Sequence, residues 1–124
     1  MKIIYKNKKV EEICTNFNRA KTLFGGDELL ATSLLARINA LKSAAIIRDI
    51  INLRPLRFHP LKNKGKGHDY SGYYAIDVKT FKERWRIILS LLDENENKCD
   101  NTGVYGSSNV VEIIEIIEVS DHYE

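Results

Sequence analysis

The hydrophobic period of this chain changes at Asn52. Before it, apolar residues recur at helical spacing, as on one face of a helix: Val10, Ile13, Phe17 and Phe24, then Leu30, Leu34, Ile38, Leu41 and Ala45. After it, Pro55 and Pro60 exclude a helix interior, and β-branched and aromatic residues gather in short runs at 73–78, 85–92 and 110–119. A chain helical in its first part and strand-forming in its second has to stack one layer on the other, which predicts an α+β fold.

Ile3, Ile4 and Tyr5 predict a short N-terminal strand. A first amphipathic helix runs from Asn7 to Phe24 and is stopped by Gly25-Gly26; Asp27 is placed to cap a second, long helix. So short a break predicts a two-helix hairpin with one shared apolar face. The prolines make the segment around Leu56 and Phe58 an extended piece or edge strand, and the Lys- and Gly-rich residues 62–71 an exposed loop. Runs 73–78 and 85–92 are close enough to form a hairpin. Alternation puts Trp85, Ile87 and Leu89 on one face, and Arg84, Arg86 and Ile88 on the other. Residues 93–109 read as a polar loop. The run 110–119 has acids at 112, 115 and 118, a period that fits neither helix nor strand, but seven of its ten residues are Val or Ile and a strand is expected. The sum is a single domain over residues 1–124. A helical hairpin packs on one face of a mostly antiparallel sheet of about four to five strands, and the other face is left open.

The 44% hydrophobic and 29% charged content of these 124 residues is that of a globular domain. No apolar run approaches the roughly 20 residues that span a bilayer, and the first residues lack a signal-peptide pattern, so a cytoplasmic protein off the membrane is expected. Cys14 and Cys99 are then free thiols, without the spacing of a metal site, and neither metal nor other cofactor is expected. Charge is divided along the chain. Residues 54–86 carry nine Lys or Arg against three acids, and residues 93–124 one Lys against nine acids. The middle of the chain therefore offers a basic surface suited to a polyanion.

Complementary chemistry is held by three segments, Phe58-His59-Pro60-Leu61-Lys62, Arg84-Trp85-Arg86 and Asp121-His122-Tyr123. Cutting an RNA phosphodiester without a metal requires a base for the 2′-hydroxyl, an acid for the leaving 5′-oxygen, and cations for the phosphoryl charge. Imidazole titrates near neutrality and guanidinium stays charged with a planar fork of donors. His59 and His122 are candidate base and acid, with Tyr123 or Asp121 orienting or replacing one of them. Arg86 with Lys62 would hold the scissile phosphate. Lys64 and Arg84 would add phosphate contacts, and Tyr73 or Tyr74 a surface on which a base stacks. Taken singly, each has a plainer reading: His59 as an edge residue, Arg84 and Arg86 as a strand face paired to Glu112 or Glu118, Trp85 as core, His68 as an exposed loop residue. The sequence Lys62-Asn63-Lys64-Gly65-Lys66-Gly67 lacks the spacing and following helix of a phosphate loop.

From about Leu56 to its end the chain resembles the HigB-like branch of the RelE/ParE toxin superfamily. The resemblance rests on His59-Pro60-Leu61-Lys62, on Gly72-Tyr73-Tyr74-Ala75-Ile76-Asp77-Val78, on Arg84-Trp85-Arg86-Ile87 and on the ending Asp121-His122-Tyr123. It implies a toxin of a toxin-antitoxin pair that enters the ribosomal A site and cuts mRNA. It also implies a HigA-like helix-turn-helix antitoxin, and a heterotetrameric complex on operator DNA. The positions of His59, Lys62, Arg86 and the terminal cluster are implied in phosphate binding and catalysis. The family ending is Asp-Tyr-His, so in a strand the exchange here puts the imidazole on the other face, and either His122 or Tyr123 does the work. The 79–83 turn and the 93–109 loop are longer than the family's. A ParE-like toxin acting on gyrase and a non-catalytic nucleic-acid-binding module are the two other expectations.

Overall fold

Short polar side chains set the helix boundaries. In the computed structural model, which describes residues 1–61, 72–99 and 111–121, helix α1 (Lys8–Thr15) begins where the Asn7 side chain accepts from the Val10 N–H at 2.9 Å. Asn16 then does two things. Its N–H closes α1 on the Glu12 carbonyl, and its side chain accepts from Arg19 N–H at 3.1 Å to start α2 (Phe17–Leu23). The single helix expected over residues 7–24 is therefore two, because an Asn in extended backbone (φ −126°, ψ 116°) caps both. Gly25 (φ +65°) and Gly26 (φ +94°) make the left-handed turn that a side chain would strain. Asp27 caps α3 (Glu28–Ser43) through Leu30 N–H at 3.1 Å. That helix buries Leu30, Ala31, Leu34, Ile38 and Leu41; Ala45, expected on the same stripe, is exposed beyond its end. A further short helix, α4 (Ile47–Ile51), was not expected. The Asp49 carboxylate receives the N–H groups of Ala45 and Ile46 at its start, and Ile47 and Ile50 fill the core. Around Pro55 the chain forms a 3-10 turn, Arg54–Leu56, rather than an extended piece.

The strands β1 (Lys2–Tyr5), β2 (His59–Pro60), β3 (Tyr74–Asp77), β4 (Arg86–Leu92) and β5 (Ile113–Ser120) form one sheet in the order β1-β5-β4-β3-β2. The β1–β5 pairing is parallel and the other three are antiparallel. This is the expected α+β architecture. One face of the sheet, with Tyr74, Ile76, Ile87, Leu89, Leu91, Ile114 and Ile116, packs on the buried residues of α1, α2, α3 and α4 in the main core. Trp85 belongs to that side too, edge-on to Phe24 with ring centroids 4.9 Å apart. Among the described residues no helix is long and apolar enough to cross a membrane.

The odd spacing of acids in β5 has a physical cause. Glu118 pairs with Ile88 but Ile116 with Leu89, so Ile117 is an extra residue and the strand is bulged there. Glu115, opposite Ser90, and Glu118, opposite Ile88, consequently share the second face although three residues apart. The sequence leads one to expect that face to be open, but its centre is closed. Ala75, Asp77 and Ile88 have no accessible surface, and Leu61, Tyr73 and Ile117 pack with Ala75 and Ile88 into a smaller apolar cluster.

Cys14 and Cys99 are free thiols. Burial, partly offset by Lys42, pushes the Cys14 thiol up to about 12, so it stays protonated at neutral pH. Because Asp27 supplies the cap of the longest helix, Asp27→Ala is expected to cost about 1 kcal/mol and Asp27→Asn only a few tenths. Urea unfolding midpoints at unchanged slope measure both.

Candidate functional site

Register brings two rows of side chains to one end of the second face. Asp77 pairs with Arg86, and Arg86 with Ser120; one step along, His59 pairs with Ala75, Ala75 with Ile88, and Ile88 with Glu118. Arg57 precedes His59 by two residues and extends the first row beyond β3. Register thus aligns segments of four neighbouring strands at one end of this face, with β3 and β4 between His59 and β5.

The centre of this convergence is a carboxylate. Asp77 is fully buried, a costly place for a charge unless cations meet it. Arg86 meets it at 3.0 Å from Nε to Oδ1, an ion pair that lacks the alignment of a hydrogen bond. Arg57 meets it from the outside, with Nη1 at 3.3 and 3.4 Å from the two oxygens. The two guanidinium groups differ in setting. The Arg86 side chain is 7% exposed and that of Arg57 43%.

Arg86 is also the hub of the turn between β3 and β4. Its Nη1 donates to the carbonyls of Trp85 at 2.9 Å, of Thr80 at 3.5 Å and of Glu83, and its Nη2 to that of Phe81 at 3.1 Å. From the helical side, α3 fastens the same stretch. Ser33 Oγ donates to Val78 O at 2.6 Å, and Arg37 donates to the carbonyls of Asp77 (3.2 Å) and Lys79 (2.9 Å). Arg86 lies on the face away from Ile87 and Leu89, as alternation predicts, but its guanidinium is engaged in holding the turn. Among the described residues Arg57 is the more exposed cation beside it.

His59 stands at the sheet edge, half-buried, with Nδ1 2.5 Å from the carbonyl oxygen of Arg57. A carbonyl oxygen only accepts, so the contact calls for the proton on Nδ1 and leaves Nε2 as the acceptor of the neutral ring. Arg57 adopts left-handed backbone (φ 52°, ψ 49°), uncommon for a residue with a side chain. At that one residue the chain turns so that its carbonyl fixes the imidazole while its side chain reaches Asp77.

Compared with known proteins, the chain matches no family model and no curated protein.

The other candidates fall in different places. Asp121 directly follows Ser120, so β5 ends beside Arg86. Arg84 is exposed just before β4. Tyr73 is half-buried with Lys98 Nζ 3.8 Å above its ring. Tyr74 is not a substrate surface. It lies 1% exposed on the helical side, stacked on Phe58 at 5.0 Å, because alternation from Tyr73 turns it into the core. Lys62, Lys64, His122 and Tyr123 lie outside the described residues. Among the described residues no cluster of three His, Cys, Asp or Glu side chains is arranged to share a metal. A cleft of about 470 Å³ lies at the other end of the sheet, between Leu92, Cys99, Val111 and Ile113, with Asp93, Glu94 and Glu112 at its rim. Three acids there repel a polyanion, so the cleft is no alternative for one.

Sequence reading missed Arg57, Asp77 and Arg37. Asp77 had a signal, a lone acid in the apolar run Ala75-Ile76-Asp77-Val78, which requires a buried cationic partner.

Truncating Arg86 strands a buried carboxylate and several backbone carbonyls, whereas truncating Arg57 removes a solvent-screened partner. Arg86→Ala is expected to cost about 3–5 kcal/mol and Arg57→Ala less than about 1 kcal/mol. Equal losses in denaturant unfolding would contradict this division.

Proposed function

We propose that this protein is the toxin of a type II toxin-antitoxin pair, a cytoplasmic ribosome-dependent endoribonuclease that cuts translated mRNA by metal-independent acid-base catalysis. The observation that carries the reading is the convergence of His59, Arg57 and the Asp77–Arg86 pair with the end of β5. The resemblance of residues 56–124 to HigB-like toxins of the RelE/ParE superfamily supports it. So does the α+β fold, with its N-terminal strand, helices on one face and five-stranded sheet.

In this mechanism His59 Nε2 takes the proton of the ribose 2′-hydroxyl, with the ring held by its Nδ1–H on the Arg57 carbonyl. The 2′-oxygen attacks phosphorus, the bond to the 5′-oxygen breaks, and that oxygen takes a proton from the terminal cluster, from His122 or Tyr123 with Asp121 orienting it. Charge on the phosphoryl oxygens is met by Arg57, Lys62 and Lys64. Arg57 can turn to a phosphate because Asp77 keeps Arg86 as its counter-ion. Arg86 thereby acts as a positioning residue. Tyr73 and Arg84 remain substrate-binding candidates along the path of the strand. Outside the ribosome, a HigA-like helix-turn-helix antitoxin would cover this basic surface, and the pair would assemble as a heterotetramer on operator DNA.

In a translating extract the wild-type protein is expected to produce discrete cuts in a reporter mRNA, mapped by primer extension, and none in untranslated RNA. His59→Gln should slow cutting by about 10²–10⁴-fold. A His59→Gln variant as fast as wild type would overturn its role as base. Uncut mRNA with altered plasmid supercoiling would instead point to a gyrase-directed toxin.

A further inference from the structure

Phe81 is 64% exposed at the tip of the β3–β4 turn, where a phenyl ring gains nothing from burial. A single exposed apolar side chain is ordinary; the surroundings of this one are not. The Arg57 guanidinium lies over its ring, 5.9 Å from the centroid. Its backbone is pinned, since Arg86 Nη2 holds the Phe81 carbonyl at 3.1 Å and Glu83 N–H returns to Thr80 O at 3.2 Å. The ring is therefore presented on a fixed turn. Lys82 and Arg84 are exposed on the same turn, Arg57 is exposed over the ring, and Glu83 is the only acid between residues 78 and 86.

An aromatic face carried on a rigid, cation-rich turn matches one ligand chemistry closely. Single-stranded nucleic acid brings planar bases that stack on phenyl rings and phosphates that pair with Lys and Arg. An acidic peptide would satisfy the cations and offer the ring nothing planar. We infer, on the reading of RNA as the substrate, that Phe81 is a base-stacking platform. It grips a nucleotide flanking the cut, while Arg57, shared between Phe81 and Asp77, carries the adjoining phosphate. Sequence preference at this position would be weak, because every base has a π face.

Binding can be read without cleavage. The full-length protein is titrated into a fluorescein-labelled 2′-O-methyl RNA octamer, which has no 2′-hydroxyl to activate, and anisotropy is followed at several salt concentrations. Phe81→Ala and Phe81→Leu should each weaken binding by about 5-fold or more, and Phe81→Trp should retain or strengthen it. The salt slope should be unchanged in all three. Thermal melting confirms that the exposed substitution leaves the fold intact. Phe81→Ala or Phe81→Leu binding the octamer as wild type does would overturn the inference. So would Phe81-dependent binding of polyglutamate with Phe81-independent binding of the RNA. A wild-type protein that binds the octamer through Phe81 but cuts no mRNA would leave the platform standing and refute the nuclease.

Discussion

The buried pair of Asp77 and Arg86 is the interaction on which the rest of this end of the molecule depends. A carboxylate without accessible surface is tolerable only with a fixed cation beside it, and Arg86 supplies one from the neighbouring strand at 3.0 Å. The same guanidinium then collects the carbonyls of the 80–85 turn, and α3 secures the turn from below through Ser33 and Arg37. Register, turn and helix packing are tied to one charge pair. With Arg86 occupied in this way, Arg57 becomes the second, outer partner of Asp77, and its carbonyl is in position to hold His59. A buried ion pair of this kind adds little net stability but punishes the loss of either member, and so fixes one arrangement of the groups around it.

This division of labour sharpens the functional reading. A phosphate needs a cation that can reach it, and Arg57 at 43% side-chain exposure meets that need better than Arg86 at 7%. The imidazole is at the edge of the sheet rather than its middle, with its acceptor nitrogen set by a backbone carbonyl. The β5 bulge at Ile117 turns Glu115 and Glu118 onto the same face, so two acids lie on the β5 side of it, while Arg57 stands beyond β3 at the other edge.

Much of this was legible in the sequence because it depends on local pattern. The change of period at Asn52 gave the layers, Gly25-Gly26 and Asp27 gave the start of the longest helix, and alternation gave the facing of Trp85 and Arg86. What was not legible depends on partners. Asn16 divides a continuous apolar stripe because its side chain prefers to cap, and periodicity takes no account of capping. Helix α4 needs the Asp49 cap and a docking surface at Val111, whose carbonyl receives Ile47 N–H from far along the chain. The strand β5 was expected from its Val and Ile content, but the bulge that sets the spacing of its acids was not. In the site, His59 and Arg86 were legible as chemistry-bearing residues, but the engagement of Arg86 was not, since it follows from Asp77 in the adjacent strand. Tyr74 was misjudged for a simpler reason: of two adjacent tyrosines in a strand, only one can face the substrate side.

The measurement that tests the account most directly is the chemistry of the RNA ends. An imidazole that activates the 2′-hydroxyl leaves the upstream fragment with a 2′,3′-cyclic phosphate and the downstream fragment with a 5′-hydroxyl. Mass spectrometry of the fragments from ribosome-bound mRNA should find those ends. A 3′-hydroxyl opposite a 5′-phosphate would contradict the account, because it would mean that water rather than the ribose attacked the phosphorus.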